Sequence, residues 1–128
     1  MSPTIFIADD NPGDQEMIPL AFEEAGVQAE FISAMDGFAA IELLKTVMPN
    51  LILVDIKMPI ADGFEVLRWL RGDERLCKVP VIVMSSSSAA SDRQRATDLG
   101  ALRFWSKPTK FEDTIAFAAS LESVLRPG

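Results

Sequence analysis

Five short apolar runs, each followed by a segment with helical spacing, constrain this chain more than any single residue does. The runs are Thr4–Ala8 (TIFIA), Ala29–Ser33 (AEFIS), Leu51–Val54 (LILV), Val79–Met84 (VPVIVM) and Ala101–Trp105 (ALRFW). Three are continuous rather than alternating, the pattern of strands buried on both faces. The second carries Glu30, which places it at a sheet edge. Between the runs, Pro12–Ala25 spaces Met17, Ala21 and Ala25 by four, with Asn11 as N-cap and Pro12 at the first helical position. Pro19 removes a hydrogen bond inside that segment and predicts a kink or a late helix start. Phe38–Val47 stacks Ala40, Leu43, Leu44 and Val47 before Pro49 ends it. Phe64, Leu67 and Leu70 mark a third helix stopped near Gly72, and Ala89–Leu99 a fourth closed by Gly100. A last stripe runs through Phe111, Ile115, Ala118, Leu121 and Leu125. Strand then helix, five times over, means parallel strands with crossover helices: an α/β fold with a doubly wound five-stranded parallel sheet and five helices.

Composition excludes several chemistries. The chain's 128 residues suit one domain, spanning 1–128. Cys77 is the single cysteine, so no intramolecular disulfide forms. Histidine is absent, which removes Ser/His/Asp hydrolysis, His-bound zinc and a phosphohistidine relay within the chain. A net charge of −7 argues against binding nucleic acid through its phosphates. The apolar runs are too short to span a membrane, and the N-terminus reaches an acidic pair too soon for a signal peptide. A cytoplasmic protein is expected.

The polar residues fall where chemistry would need them. Asp9 and Asp10 follow the first strand, Asp55 the third, Ser85 the fourth and Lys107 the fifth. Open α/β sheets bind ligands at the carboxyl ends of their strands, beside the point where strand order reverses. Singly, each residue has a plain structural reading: a turn and helix cap at Asp9-Asp10, a strand exit at Asp55, a loop pair at Lys107-Pro108, a helix-capping loop at Ser85–Ser88. If the first and third strands are neighbours, together they place three carboxylates, a hydroxyl and an ammonium in one crevice. Two carboxylates about 4 Å apart repel by ~4 kcal/mol at an effective dielectric near 20. A proton or a cation must relieve that, and carboxylate oxygens suit Mg2+. Asp55 would then attack a phosphoryl donor, with Lys107 and Ser85 stabilising the transferring oxygens. The attacking carboxylate is already ionised, so no histidine base is required. Drawing Ser85 toward the new group would open space that Phe104 could fill, a two-state switch.

These residues closely resemble the response-regulator receiver domain of two-component signalling. The likeness rests on Asp9-Asp10, Asp55, Met58-Pro59, Gly63, Ser85 and Lys107-Pro108, and it covers essentially the whole chain. ADDNPGD and the serine-rich segment after VIVM further resemble stand-alone regulators that partner phytochrome-type sensor kinases. The resemblance implies a flavodoxin-like strand order of 2-1-3-4-5. It makes Asp55 the phosphoacceptor, fed by a sensor histidine kinase or a histidine phosphotransfer protein. It implies Mg2+ held by Asp10, Asp55 and the Lys57 backbone carbonyl, with Asp9 acting through water. Lys107 would contact the phosphoryl group through a loop whose bond to Pro108 is cis in many members. Ser85 and Phe104 match the switch hydroxyl and switch aromatic.

Some features depart from the common pattern. Phe104 lacks the frequent tyrosine hydroxyl, and Lys57 and the small Ser87 flank the path of attacking water. Adjacent aromatics at Phe104 and Trp105 leave at least one facing outward. The face of the fourth helix, fifth strand and fifth helix is therefore expected to bind a partner or a second copy, with Trp105 in it. The stretch after Lys107 is expected to hold one helix and no output domain. An aspartyl-phosphate phosphatase is the competing enzyme reading, although that class carries an acid where Lys57 stands. A phosphorylation-independent scaffold is the other alternative.

Overall fold

The computed structural model describes residues 2–87 and 89–126. Ser88, the last of the four serines, lies outside them. Five strands form one parallel sheet in the order β2-β1-β3-β4-β5: β1 Thr4–Ala8, β2 Glu30–Ala34, β3 Leu51–Asp55, β4 Val81–Ser85 and β5 Arg103–Ser106. The helices are α1 Pro12–Glu24, α2 Gly37–Leu44, α3 Gly63–Arg71, α4 Ala90–Asp98, α5 Phe111–Ser120 and a short sixth turn, α6 Glu122–Leu125. The expected order and fold class hold, and β2 is an edge strand.

The continuous apolar runs have a simple cause. Ile5, Ile7, Leu51, Leu53, Ile82 and Met84 face one way and pack with Ile18 and Phe22 of α1 and Phe117 and Ala118 of α5. Their neighbours Phe6, Ala8, Ile52, Val54, Val81 and Val83 face the other way, onto Ala40 and Leu44 of α2 and Phe64 and Leu67 of α3. Side chains alternate with period two, so a strand covered on both faces must be apolar at every position. Each large side chain removed from water contributes about 1.5–3 kcal/mol.

The stripes expected at Phe64, Leu67 and Leu70 of α3 and at Ala118, Leu121 and Leu125 are buried, whereas α1 turns a different face inward. In α1, Ile18, Ala21 and Phe22 are buried, while Met17 points largely to solvent. α1 starts at Pro12 rather than late, because Asn11 Oδ1 accepts from the amides of Gly13 at 2.8 Å and Asp14 at 3.3 Å. The helix then runs through Pro19. In α5, Thr114 and Phe117 join Ala118 inside, and Ile115 is only half-buried. α4 buries little: Ala96 is its one buried residue, and among the described residues no side chain caps its N-terminus. Ser87 Oγ instead accepts from the Ala89 amide at 3.3 Å, just before the helix. Gly100 ends the segment with φ +87°, as a C-terminal glycine should.

Candidate functional site

The carboxyl ends of β1, β3, β4 and β5 open onto one pocket, because β1 and β3 are neighbours while the chain crosses over between them. Asp9 follows β1 and is fully buried; Asp55 ends β3 and is 7% exposed; Ser85 ends β4 and is 4% exposed. Asp10 is exposed at the rim. One carboxylate oxygen each from Asp9, Asp10 and Asp55 lies within 4.8 Å of the others. The Lys107 amide donates to the Ser85 carbonyl at 2.7 Å, extending the β4–β5 ladder and setting where the lysine side chain enters. Its Nζ then lies 2.8 Å from Asp9 Oδ2 and 3.3 Å from Asp55 Oδ2.

Close backbone contact holds Asp55 in place. A Cβ on Gly63 would sit 2.3 Å from the Asp55 carbonyl oxygen, so only glycine lets α3 approach so near. The Gly63 amide donates to the Ile56 carbonyl at 2.9 Å, and Asp62 and Glu65 close a capping box over the same turn.

The electrostatics are those of buried acids facing one cation. Burial pushes the Asp9 carboxyl up to about 7, against the pull of its hydrogen bonds from Lys107 and the Asn11 amide. Burial raises Asp55 as well, again opposed by Lys107. For Lys107, burial disfavours the charge, but hydrogen bonds to Asp14 and Asp9 prevail and hold its pKa above the usual lysine range. Three hard oxygen donors, two of them buried and short of positive charge, fit a divalent cation.

The remaining expected residues fall as follows. Ser85 Oγ accepts from the Ser87 amide at 3.0 Å. The Lys57 side chain is exposed. Phe104 is half-buried against the α2/α3 side of the sheet, with the Arg93 guanidinium of α4 4.9 Å above its ring centre. Trp105, on the opposite side, is a packed surface aromatic: it stacks on Phe117 at 3.7 Å and 9°. Strand alternation sends the two rings to different faces, and α5 covers the tryptophan. The Lys107–Pro108 bond is trans, since no described peptide bond is cis.

Two residues of α1 escaped the sequence reading. Asp14 Oδ2 lies 2.6 Å from Lys107 Nζ, closer than either pocket acid. Gln15 Nε2 lies 3.2 Å from the Ile7 carbonyl and 3.0 Å from those of Asp9 and Ala34, tying α1 to the ends of β1 and β2. The run ADDNPGD contained the signal for Asp14, an acid in the first turn of a helix that begins beside the pocket.

The response regulator receiver domain family matches residues 5–119. The polar-differentiation response regulator DivK of Brucella ovis is 32% identical over 118 residues, covering 90% of this chain and 94% of DivK. The DNA-binding dual master transcriptional regulator RpaA of Synechocystis sp. is 32% identical over 119 residues and 93% of this chain, which spans about half (48%) of RpaA. Among solved structures, the phosphorylated cyanobacterial phytochrome response regulator RcpA is similar, with a TM-score of 0.88 and 27% identity over 98% of this chain and 94% of that one. The Mn2+-bound form of response regulator Rcp1 has a TM-score of 0.82 and 26% identity, covering 94% of this chain and 92% of its own.

Proposed function

Because the chain belongs to the response regulator receiver domain family of two-component signalling, we propose that it is a phosphorylation switch with Asp55 as acceptor. The observation that carries this is the meeting of Asp55 with Asp9, Asp10 and Lys107 in one pocket. A carboxylate oxygen of Asp55 attacks the phosphorus of a phosphohistidine; the P–N bond breaks, and its electron pair leaves with the imidazole. The product is an acyl phosphate. Lys107 offsets charge on the transferring oxygens, and Ser85 donates a hydrogen bond to one of them. Asp10, Asp55 and the Lys57 carbonyl would hold Mg2+, with Asp9 behind a water. Bound there, the ion would screen the acids from one another and neutralise the phosphoryl oxygens.

In this reading the donor is a sensor histidine kinase or a histidine phosphotransfer protein in the cytoplasm. Likeness to the cyanobacterial phytochrome response regulator RcpA favours a phytochrome-type kinase. Output runs through the face of α4, β5 and α5, which binds a partner or a second copy. Support comes from α4, whose one buried residue is Ala96, and from Phe104 beneath Arg93 on that side. Pulling Ser85 toward the phosphoryl group moves the segment that leads into α4, and Phe104 follows inward.

Incubation with acetyl phosphate and Mg2+, read by intact mass, tests the acceptor role. One phosphoryl group per chain, lost in Asp55→Asn, supports it. No adduct under any Mg2+ concentration, with no donor consumed, leaves a scaffold; release of many equivalents of phosphate per chain makes the protein a phosphatase.

A further inference from the structure

We propose that Asp14 is a positioning residue that draws the Lys107 ammonium away from Asp55 and so restrains uptake of the phosphoryl group. This rests on Asp55 being the acceptor. An ammonium has three N–H donors, and Lys107 Nζ meets three carboxylate oxygens at unequal distances: Asp14 at 2.6 Å, Asp9 at 2.8 Å and Asp55 at 3.3 Å. Two of them are charge-assisted hydrogen bonds of full strength; the third, to the reacting residue, is long. The ammonium therefore leans toward α1.

Asp14 is built into this position rather than passing through it. Its amide is held by the Asn11 cap at 3.3 Å, and the next residue, Gln15, is tied to the Ile7, Asp9 and Ala34 carbonyls. Its side chain is 23% exposed and that of Lys107 15%, so water screens the pair incompletely. Asp14 also stands outside the group of three acids that would share a cation. A cation in that site would leave Asp14 paired with Lys107 alone, so it competes with the incoming phosphoryl oxygens for the same N–H groups.

Titration with beryllofluoride, a phosphoryl mimic, at saturating Mg2+ and followed by intrinsic tryptophan fluorescence, tests the proposal. Asp14→Asn should lower the half-saturating concentration roughly three- to tenfold, the scale of one partly buried ion pair. Asp14→Ser, a second variant without the carboxylate, should do the same, and Asp14→Glu should restore the unsubstituted value. Mg2+ affinity without beryllofluoride should stay within about twofold, because Asp14 acts through Lys107 rather than as bulk charge. Unchanged or weaker beryllofluoride binding in both carboxylate-free variants overturns the proposal, as does a parallel tightening of Mg2+. If the unsubstituted protein binds no beryllofluoride, the acceptor assignment falls and this restraint falls with it.

Discussion

Lys107 and Asp9, 98 residues apart in the chain, meet at 2.8 Å with the Asp9 carboxylate wholly shielded from water. A buried carboxylate without a partner costs several kcal/mol unless it takes a proton. Lys107→Met should therefore destabilise the fold by about 2–4 kcal/mol at pH 8. Near pH 5 the loss should shrink to less than half, because protonated Asp9 no longer needs the ammonium. Urea unfolding at the two pH values measures this. Equal losses would mean that Lys107 stabilises by packing rather than by charge.

The raised pKa of Asp9 sets the sign of the pH dependence in metal-free protein. The folded form holds the proton up to about pH 7, whereas the unfolded chain releases it near 3.8. Between those values the native state binds more protons, so stability falls as pH rises and levels off above about 7. The drop attributable to Asp9 is on the order of 2–4 kcal/mol. Thermal unfolding in chelator across this range should show the decline. Added Mg2+ should oppose it, with a stabilising increment that grows with pH as the carboxylates ionise. An increment independent of pH would place the ion elsewhere.

The sequence carried the sheet and the strand-end residues because strands buried on both faces leave no choice of side chain, and their ends are where polarity returns. Ile5 to Ala8 and Leu51 to Val54 read as interior at every position, and Asp9 and Asp55 as exits. Helix faces were less legible. α1 carries Met17, Ile18, Leu20, Ala21 and Phe22, apolar around most of its circumference, so spacing alone does not choose which side faces the sheet. Asp14 was hidden for the same reason: only the rotation of α1 decides that its carboxylate reaches Lys107. Trp105 and Phe104 alternate as adjacent strand residues must, but which ring α5 covers depends on where Phe117 lands.

Gly63 should be intolerant of any side chain. Its missing Cβ would stand 2.3 Å from the Asp55 carbonyl oxygen, and the obstructing atom is backbone that cannot rotate aside. Gly63→Ala forces β3 and α3 apart, costing about 1–3 kcal/mol of overpacking strain, and displaces the acceptor. Phosphate incorporation from acetyl phosphate should fall at least about tenfold, as for other small misplacements of a reacting group. Wild-type stability and rate in this variant would show that the loop yields freely.

Trp105 should prove structural, and comparison with Arg93 separates the two sides of β5. Trp105→Ala removes a ring stacked at 3.7 Å on Phe117 and should destabilise by about 2–4 kcal/mol, less than a fully buried aromatic because the tryptophan is half-exposed. Arg93→Ala removes an exposed cation above Phe104 and its 3.2 Å hydrogen bond to Ser106 Oγ, with a stability cost below about 1 kcal/mol. The larger effect of Arg93→Ala should fall on the switch. Phe104 loses the group that holds it beneath α4, so the ring turns inward more readily and Ser85 moves toward the phosphoryl group at lower cost. Fluorine NMR of fluorophenylalanine at position 104 should show the inward population rising in Arg93→Ala before any phosphoryl mimic is added. In Trp105→Ala the same signal should keep its resting position in the folded fraction. A resonance at Phe104 insensitive to Arg93 would move the output element away from the α4 side of β5.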